Sequence, residues 1–185
     1  MADLRQRLAT ALCGRTCVVG IGNTELGDDG LGPRVAGALA SGGLEDVIVA
    51  GTTPERWMAQ LASGRYDNVL FVDAVEFEGQ PGSVILLEGR EIRARLPQVS
   101  THKISLGVLA DLIERGAPTR VRVLGVKPAA LRGGQGLSPA VGETARALTA
   151  ILGEALAVGP ERPPLVACAT GDCAEPAMAG ERSAC

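Results

Sequence analysis

The chain has 185 residues, with 18 basic against 21 acidic side chains for a formal charge of -3, and it is 46% hydrophobic but only 2% aromatic. That length suits one domain with a sizeable core, which Val, Leu, Ile and Ala must fill, as layered α/β proteins arrange. Disorder of the whole chain is excluded by the apolar content, and nucleic acid is excluded as a partner because no basic cluster or set of stacking aromatics is present to grip a phosphate backbone.

In chain order, Leu4, Leu8 and Leu12 recur every four residues among Asp3, Arg5 and Arg7, which reads as an amphipathic helix and not as an export signal. No run of about 18 apolar residues follows, so no membrane span is expected. A soluble, cytoplasmic protein is the expectation, with the five cysteines held as reduced thiols. Apolar runs at 16–22, 47–51, 68–75, 83–89 and 121–126 read as strands. The unbroken apolar character of VVGI and VLFV points to strands covered on both faces, the mark of a parallel sheet between helices.

Helical stripes lie between the strands: Leu31, Val35 and Leu39; then Leu106, Leu109, Leu112 and Ile113. A last helix is capped by Ser138, with Pro139 in its first turn, and buries Val141, Ala145, Leu148, Leu152 and Leu156. The hairpin-like EFEGQPGSVILLEG places the fourth strand antiparallel at an edge. The fold class is therefore α/β, a three-layer sandwich with an open, mostly parallel five-stranded sheet and helices on both faces. Residues 1–158 form one domain, and the Pro-, Gly- and Ala-rich residues 159–185 read as a disordered tail.

Three places carry candidate chemistry. GIGNTELGDDGLG (20–32) sits where a strand gives way to a helix, the position of binding crevices in open α/β sheets. It fails as a dinucleotide fingerprint because Glu25 replaces the third glycine, and it lacks the Lys and Ser/Thr of a P-loop. Its Asp28 and Asp29 serve equally as helix cap and dipole partners by residue type. Asp73 ends the apolar run VLFV; a carboxylate there is costly to bury unless paired or metal-bound, although a turn aspartate is the simpler alternative. His102 is the chain's one histidine, at a helix entry, where a lone histidine is more often structural. All three are expected at one sheet edge, and two carboxylates with an imidazole suit a divalent transition ion such as nickel or zinc. Asp28 is then left as the helix cap beside the trio.

One histidine is too few for an H-E-x-x-H zinc peptidase or a two-histidine iron oxygenase. GLSPA around Ser138 approaches a serine-hydrolase elbow but does not follow a strand. Cys13 and Cys17 show no activating neighbour for a thiol protease. In the tail, Cys168, Cys173 and Cys185 give only a weak metal spacing.

Taken together, GIGNTELGDDGLG, AGTTPE (50–55), FVDA (71–74), STHKISLG (100–107) and LGVKP (124–128) resemble, in order and over residues 16–156, the hydrogenase maturation endopeptidases, and most closely the branch serving formate-hydrogenlyase-type enzymes. The resemblance implies a monomeric cytosolic α/β peptidase that removes the C-terminal extension of a hydrogenase large-subunit precursor once nickel is installed. It assigns nickel contact and catalysis to Asp29, Asp73 and His102, and substrate contact to Gly51, Thr52 and Thr101. Nickel would arrive in the substrate, so no tightly bound cofactor is expected in the free enzyme. Where some relatives carry an acidic residue before the Gly-Thr step, this chain has Ala50. A nickel chaperone without proteolysis, a nucleotide-binding module using the Gly20–Gly32 segment, and an unrelated peptidase of similar fold are the rival functions.

Overall fold

In the computed structural model, residues 2–95, 105–131, 133 and 136–157 are described. Helix α1 (Ala2–Ala11) leads into strand β1 (Thr16–Ile21), and helix α2 (Leu31–Ser41) leads into β2 (Val47–Gly51). The one-turn helix α3 (Met58–Leu61) precedes β3 (Asn68–Ala74), after which come β4 (Val84–Glu88) and the short α4 (Arg90–Arg95). Helix α5 (Leu106–Gly116), β5 (Arg120–Val126) and α6 (Pro139–Ala157) complete the chain. The strands lie in the order β2-β1-β3-β5-β4. All neighbours are parallel except β4, which runs antiparallel to β5.

The continuous apolar runs have the predicted cause. Every residue of β1 is buried, and so are the first six of β3, whereas the edge strands β2 and β4 are only partly covered. Side chains alternate between faces along each strand. Val18, Leu70, Val72 and Leu124 meet α1, α2 and α6, while Cys17, Val19, Val69, Phe71 and Val123 meet the layer that holds α3 and α5. The expected three-layer sandwich follows, with helices on both faces.

Two expectations change. The fourth strand is antiparallel at an edge as read, yet it is not the partner of β3: β5 inserts between them, so EFEGQPGSVILLEG is a connection and not a hairpin. On α5, Leu106, Leu109 and Ile113 are buried with Ala110, but Leu112 is 51% exposed. Ala110 takes the position on the buried stripe that Leu112 was expected to fill, because 3.6 residues per turn carries position 112 away from the sheet. The Cys-containing tail lies outside the described residues.

The opposite edge of the sheet is pinned by a polar cluster. Arg122, 5% exposed, donates to Asn68 Oδ1 and to Glu88 Oε1, both at 2.7 Å. Asn68 in turn donates to the carbonyl of Cys13 at 2.8 Å. This leaves the carboxyl ends of the parallel strands as the edge where loops are available for chemistry.

Candidate active site

From β1 the chain crosses through α2 to β2 on one side, then returns past α3 to β3 on the other. The carboxyl ends of β1 and β3 therefore flank the switch point where connections diverge, the usual crevice of an open α/β sheet. The turn after β1 supplies Asp29, and β3 itself supplies Asp73. Both carboxylates are buried, Asp29 at 2% and Asp73 at 5% exposure. The 3-10 turn that carries Asp29 (Gly27–Gly30) packs against β3, so the two aspartates belong to neighbouring elements of one edge.

The local sequence dictates how Asp29 is held. Asn23 forms an Asx-type turn by accepting from the Glu25 amide at 3.0 Å, and its own backbone N–H donates to Asp29 Oδ2 at 2.7 Å. Gly22, at φ +133, lets the chain fold back so tightly that a Cβ would stand 1.8 Å from the Asp29 carbonyl oxygen. The Gly22 amide donates to the carbonyl of Gly51 at 3.0 Å, which joins the loops after β1 and β2. Gly51 itself has φ +60, and Thr52 is exposed beside it. Asp73 Oδ1 accepts from the amide of Ala74 at 2.9 Å, fixing the carboxylate at the strand end. Nearby, Lys127 pairs with Glu76.

Asp28 does not cap its own helix. Its carboxylate accepts from the amides of Ala129 (2.8 Å), Ala130 (3.2 Å) and Ser138 (2.6 Å) and from the Ser138 hydroxyl (3.0 Å). It thus staples the turn after β1 to the loop before α6. Ser138 begins α6 as expected, but its hydroxyl donates to Asp28. At 1% exposure burial alone would raise the Asp28 pKa, yet these four donors outweigh it and hold the carboxyl below its ordinary range. A depressed folded-state pKa contributes stability that is present above the unfolded value and lost as pH falls through the folded one. Asp28→Ala should cost about 3 kcal/mol at neutral pH, and the difference from wild type should shrink in urea titrations carried below about pH 4.

Within GIGNTELGDDGLG, Gly20 and Gly32 are places where backbone packs closely on backbone. A Cβ at Gly20 would meet the Gly32 carbonyl oxygen at 2.2 Å, and one at Gly32 would meet the carbonyl oxygens of Ile21 and Val72 at 2.2 Å. Helix α2 starts flush against β1 and β3, and the space a phosphate would need is filled by backbone. Cys17 is equally unsuited to nucleophilic work: burial drives its thiol up to about 12.

His102 and Thr101 lie outside the described residues, so the pairing of His102 with the two aspartates rests on the sequence. Among the described residues no group of three or more His, Cys, Asp and Glu side chains could hold a metal. What the described edge offers is two desolvated carboxylates, groups that contact a divalent cation or accept a proton from water. Sequence reading passed over Asn23 as the clamp on Asp29, although Asn after G-x-G at a turn was the signal for it.

A family model described as hydrogenase maturation protease matches residues 34–154. The chain belongs to that family. It is therefore a peptidase, and the chaperone and nucleotide-binding alternatives are set aside. The match includes Asp73 and begins beyond Asp29. The chain is similar to the hydrogenase 3 maturation protease of Escherichia coli, at 32% identity over 110 residues covering 58% of this chain and 69% of that one. With the hydrogenase 2 maturation protease of the same organism it shares 29% over 135 residues, 69% and 81% of the two chains. In three dimensions it resembles a NiFe hydrogenase maturation protease from Thermococcus kodakarensis, with a TM-score of 0.72 and 28% identity over 84% of this chain and 99% of that one. No helix among the described residues is long and apolar enough to cross a membrane.

Proposed function

We propose that this protease removes the C-terminal extension of a nickel-iron hydrogenase large-subunit precursor after nickel insertion, and that nickel carried by the substrate is the recognition element. The observation that supports this reading most is the pair of buried carboxylates, Asp29 and Asp73, set by β1 and β3 on either side of the switch point. Two carboxylates buried at one edge favour the approach of an added positive charge. A nickel ion presented by the precursor supplies that positive charge, and His102 contributes a nitrogen ligand in this reading.

With the metal belonging to the substrate, docking and checking become one event. A precursor without nickel brings no cation to the carboxylates and is bound poorly. Once docked, the ion would polarise the peptide carbonyl beside it; water adds to the carbonyl carbon, giving its proton to Asp29 or Asp73 as general base or, where the ion acidifies it, to solvent, and the C–N bond then breaks as the leaving amine takes up a proton. Both routes use the same three side chains. Gly51, Thr52 and Thr101 would line the path of the substrate chain, Gly51 by its φ of +60 and its tie to Gly22.

The test is cleavage of purified precursor with and without nickel, followed by mass. Nickel-loaded precursor should be shortened at least about a hundredfold faster, the scale expected when one catalytic cation is withheld. Equal rates on the two forms would overturn the nickel checkpoint.

A further inference from the structure

Glu55 lies in the 3-10 turn Pro54–Trp57 that follows β2 at the same edge as Asp29. Pro54 is buried, and Ala50 before it and Leu61 after it sit in the core shared with α5, so both ends of the turn are fixed. The loop is also tied to the Asp29 turn through the Gly22–Gly51 hydrogen bond. Among the described residues, Glu55 Oε2 is the buried side-chain oxygen without a hydrogen-bond partner.

A dry, unpartnered carboxylate oxygen destabilises the free protein, and the fold has no need of it: a neutral side chain at this place would remove the penalty. Groups of this kind persist where stability is traded for function and the partner comes from outside. Two residues on, the same turn presents Trp57, the chain's one tryptophan, at 37% exposure. Tryptophan is the residue type most enriched among the anchors of protein–protein contacts. An acceptor in want of a donor and an exposed indole on one anchored turn fit a polypeptide lying across it.

We propose that Glu55 is a substrate-positioning residue: its half-buried side chain rotates to bring the carboxylate out of its cover, where it accepts a hydrogen bond from an N–H donor of the docked precursor while Trp57 packs on the same segment. This rests on the processing reading above. Glu55 takes no part in bond cleavage, so its contribution is to binding alone: KM rises when it is removed and kcat holds.

The experiment is steady-state processing of nickel-loaded precursor by wild type, Glu55→Ala and Glu55→Gln, with thermal melts of each enzyme. Glu55→Ala should raise KM about tenfold, the scale of one hydrogen bond to a charged acceptor, and Glu55→Gln, which keeps a neutral acceptor, should recover part of it. Neither variant should melt below wild type, since no native bond is lost. Fluorotryptophan incorporated at Trp57 gives a single fluorine resonance that should shift when precursor is added. An unchanged KM in Glu55→Ala, or a lowered melting temperature in both variants, overturns the role of Glu55 while leaving the processing reading intact. A wild-type enzyme that leaves the nickel-loaded precursor at full length overturns the processing reading, and an unmoved fluorine resonance in that same mixture overturns docking at this turn.

Discussion

Asp29→Ala, Asp73→Ala and His102→Ala should each lower precursor processing by about a thousandfold or more, the scale seen when a general base or cation-contacting carboxylate is removed. Folding should respond differently. The Asp29 carboxylate accepts one hydrogen bond from the described residues, that of the Asn23 amide, so its removal costs the fold little. Its alanine variant should melt within a few degrees of wild type. The adjacent Asp28 gives the reverse: four donors converge on it, and Asp28→Ala should unfold earlier by roughly 5–10 °C for a chain of this size. Measured together by gel-shift of the precursor and by thermal melts, the two neighbouring aspartates should separate cleanly into one that works and one that holds. Retention of processing by Asp29→Ala would remove it from the site.

That division shows which parts of the molecule the sequence could disclose. Strand identity was legible because β1 and β3 are buried on both faces and so must be apolar throughout, and the helices α2 and α6 because their buried stripes recur at helical spacing. Partnership between distant elements was not legible. Nothing in EFEGQPGSVILLEG says that β5 will separate β4 from β3, since an antiparallel strand can pair with either neighbour at an edge. Nothing in GDDG says that Asp28 will reach Ala129, Ala130 and Ser138, about a hundred residues on, while Asp29 accepts from the amide of nearby Asn23. Residue type alone made both caps. Glu55 was hidden for the same reason, because a missing partner is a property of three-dimensional surroundings and leaves no mark in spacing.

The second large effect is expected at Gly32. It stands in the first turn of α2, and a Cβ there would be driven to 2.2 Å from two backbone carbonyl oxygens, those of Ile21 in β1 and Val72 in β3. Neither oxygen can swing away, since β1 and β3 are paired to each other from Thr16–Asn68 to Gly20–Val72. The helix must lift off the sheet, and it takes with it the contacts of Leu31, Val35 and Leu39, each of which contributes about 1.5–3 kcal/mol by burial. Gly32→Ala should therefore destabilise by about 3 kcal/mol or more, the upper range for overpacking against rigid neighbours. Gly37 in the same helix supplies the control, because a Cβ there meets nothing within 4 Å. Gly37→Ala should raise stability by about 0.5–1 kcal/mol through helix propensity alone. Opposite signs from one substitution at two positions of α2 would tie the glycines of this segment to close packing of helix on strand. Because the Gly27–Gly30 turn leads directly into α2, any Gly32→Ala protein that still folds should also process precursor poorly, Asp29 having moved with the helix away from Asp73. Equal stability of the two alanine variants would show that the sheet yields where its register says it cannot.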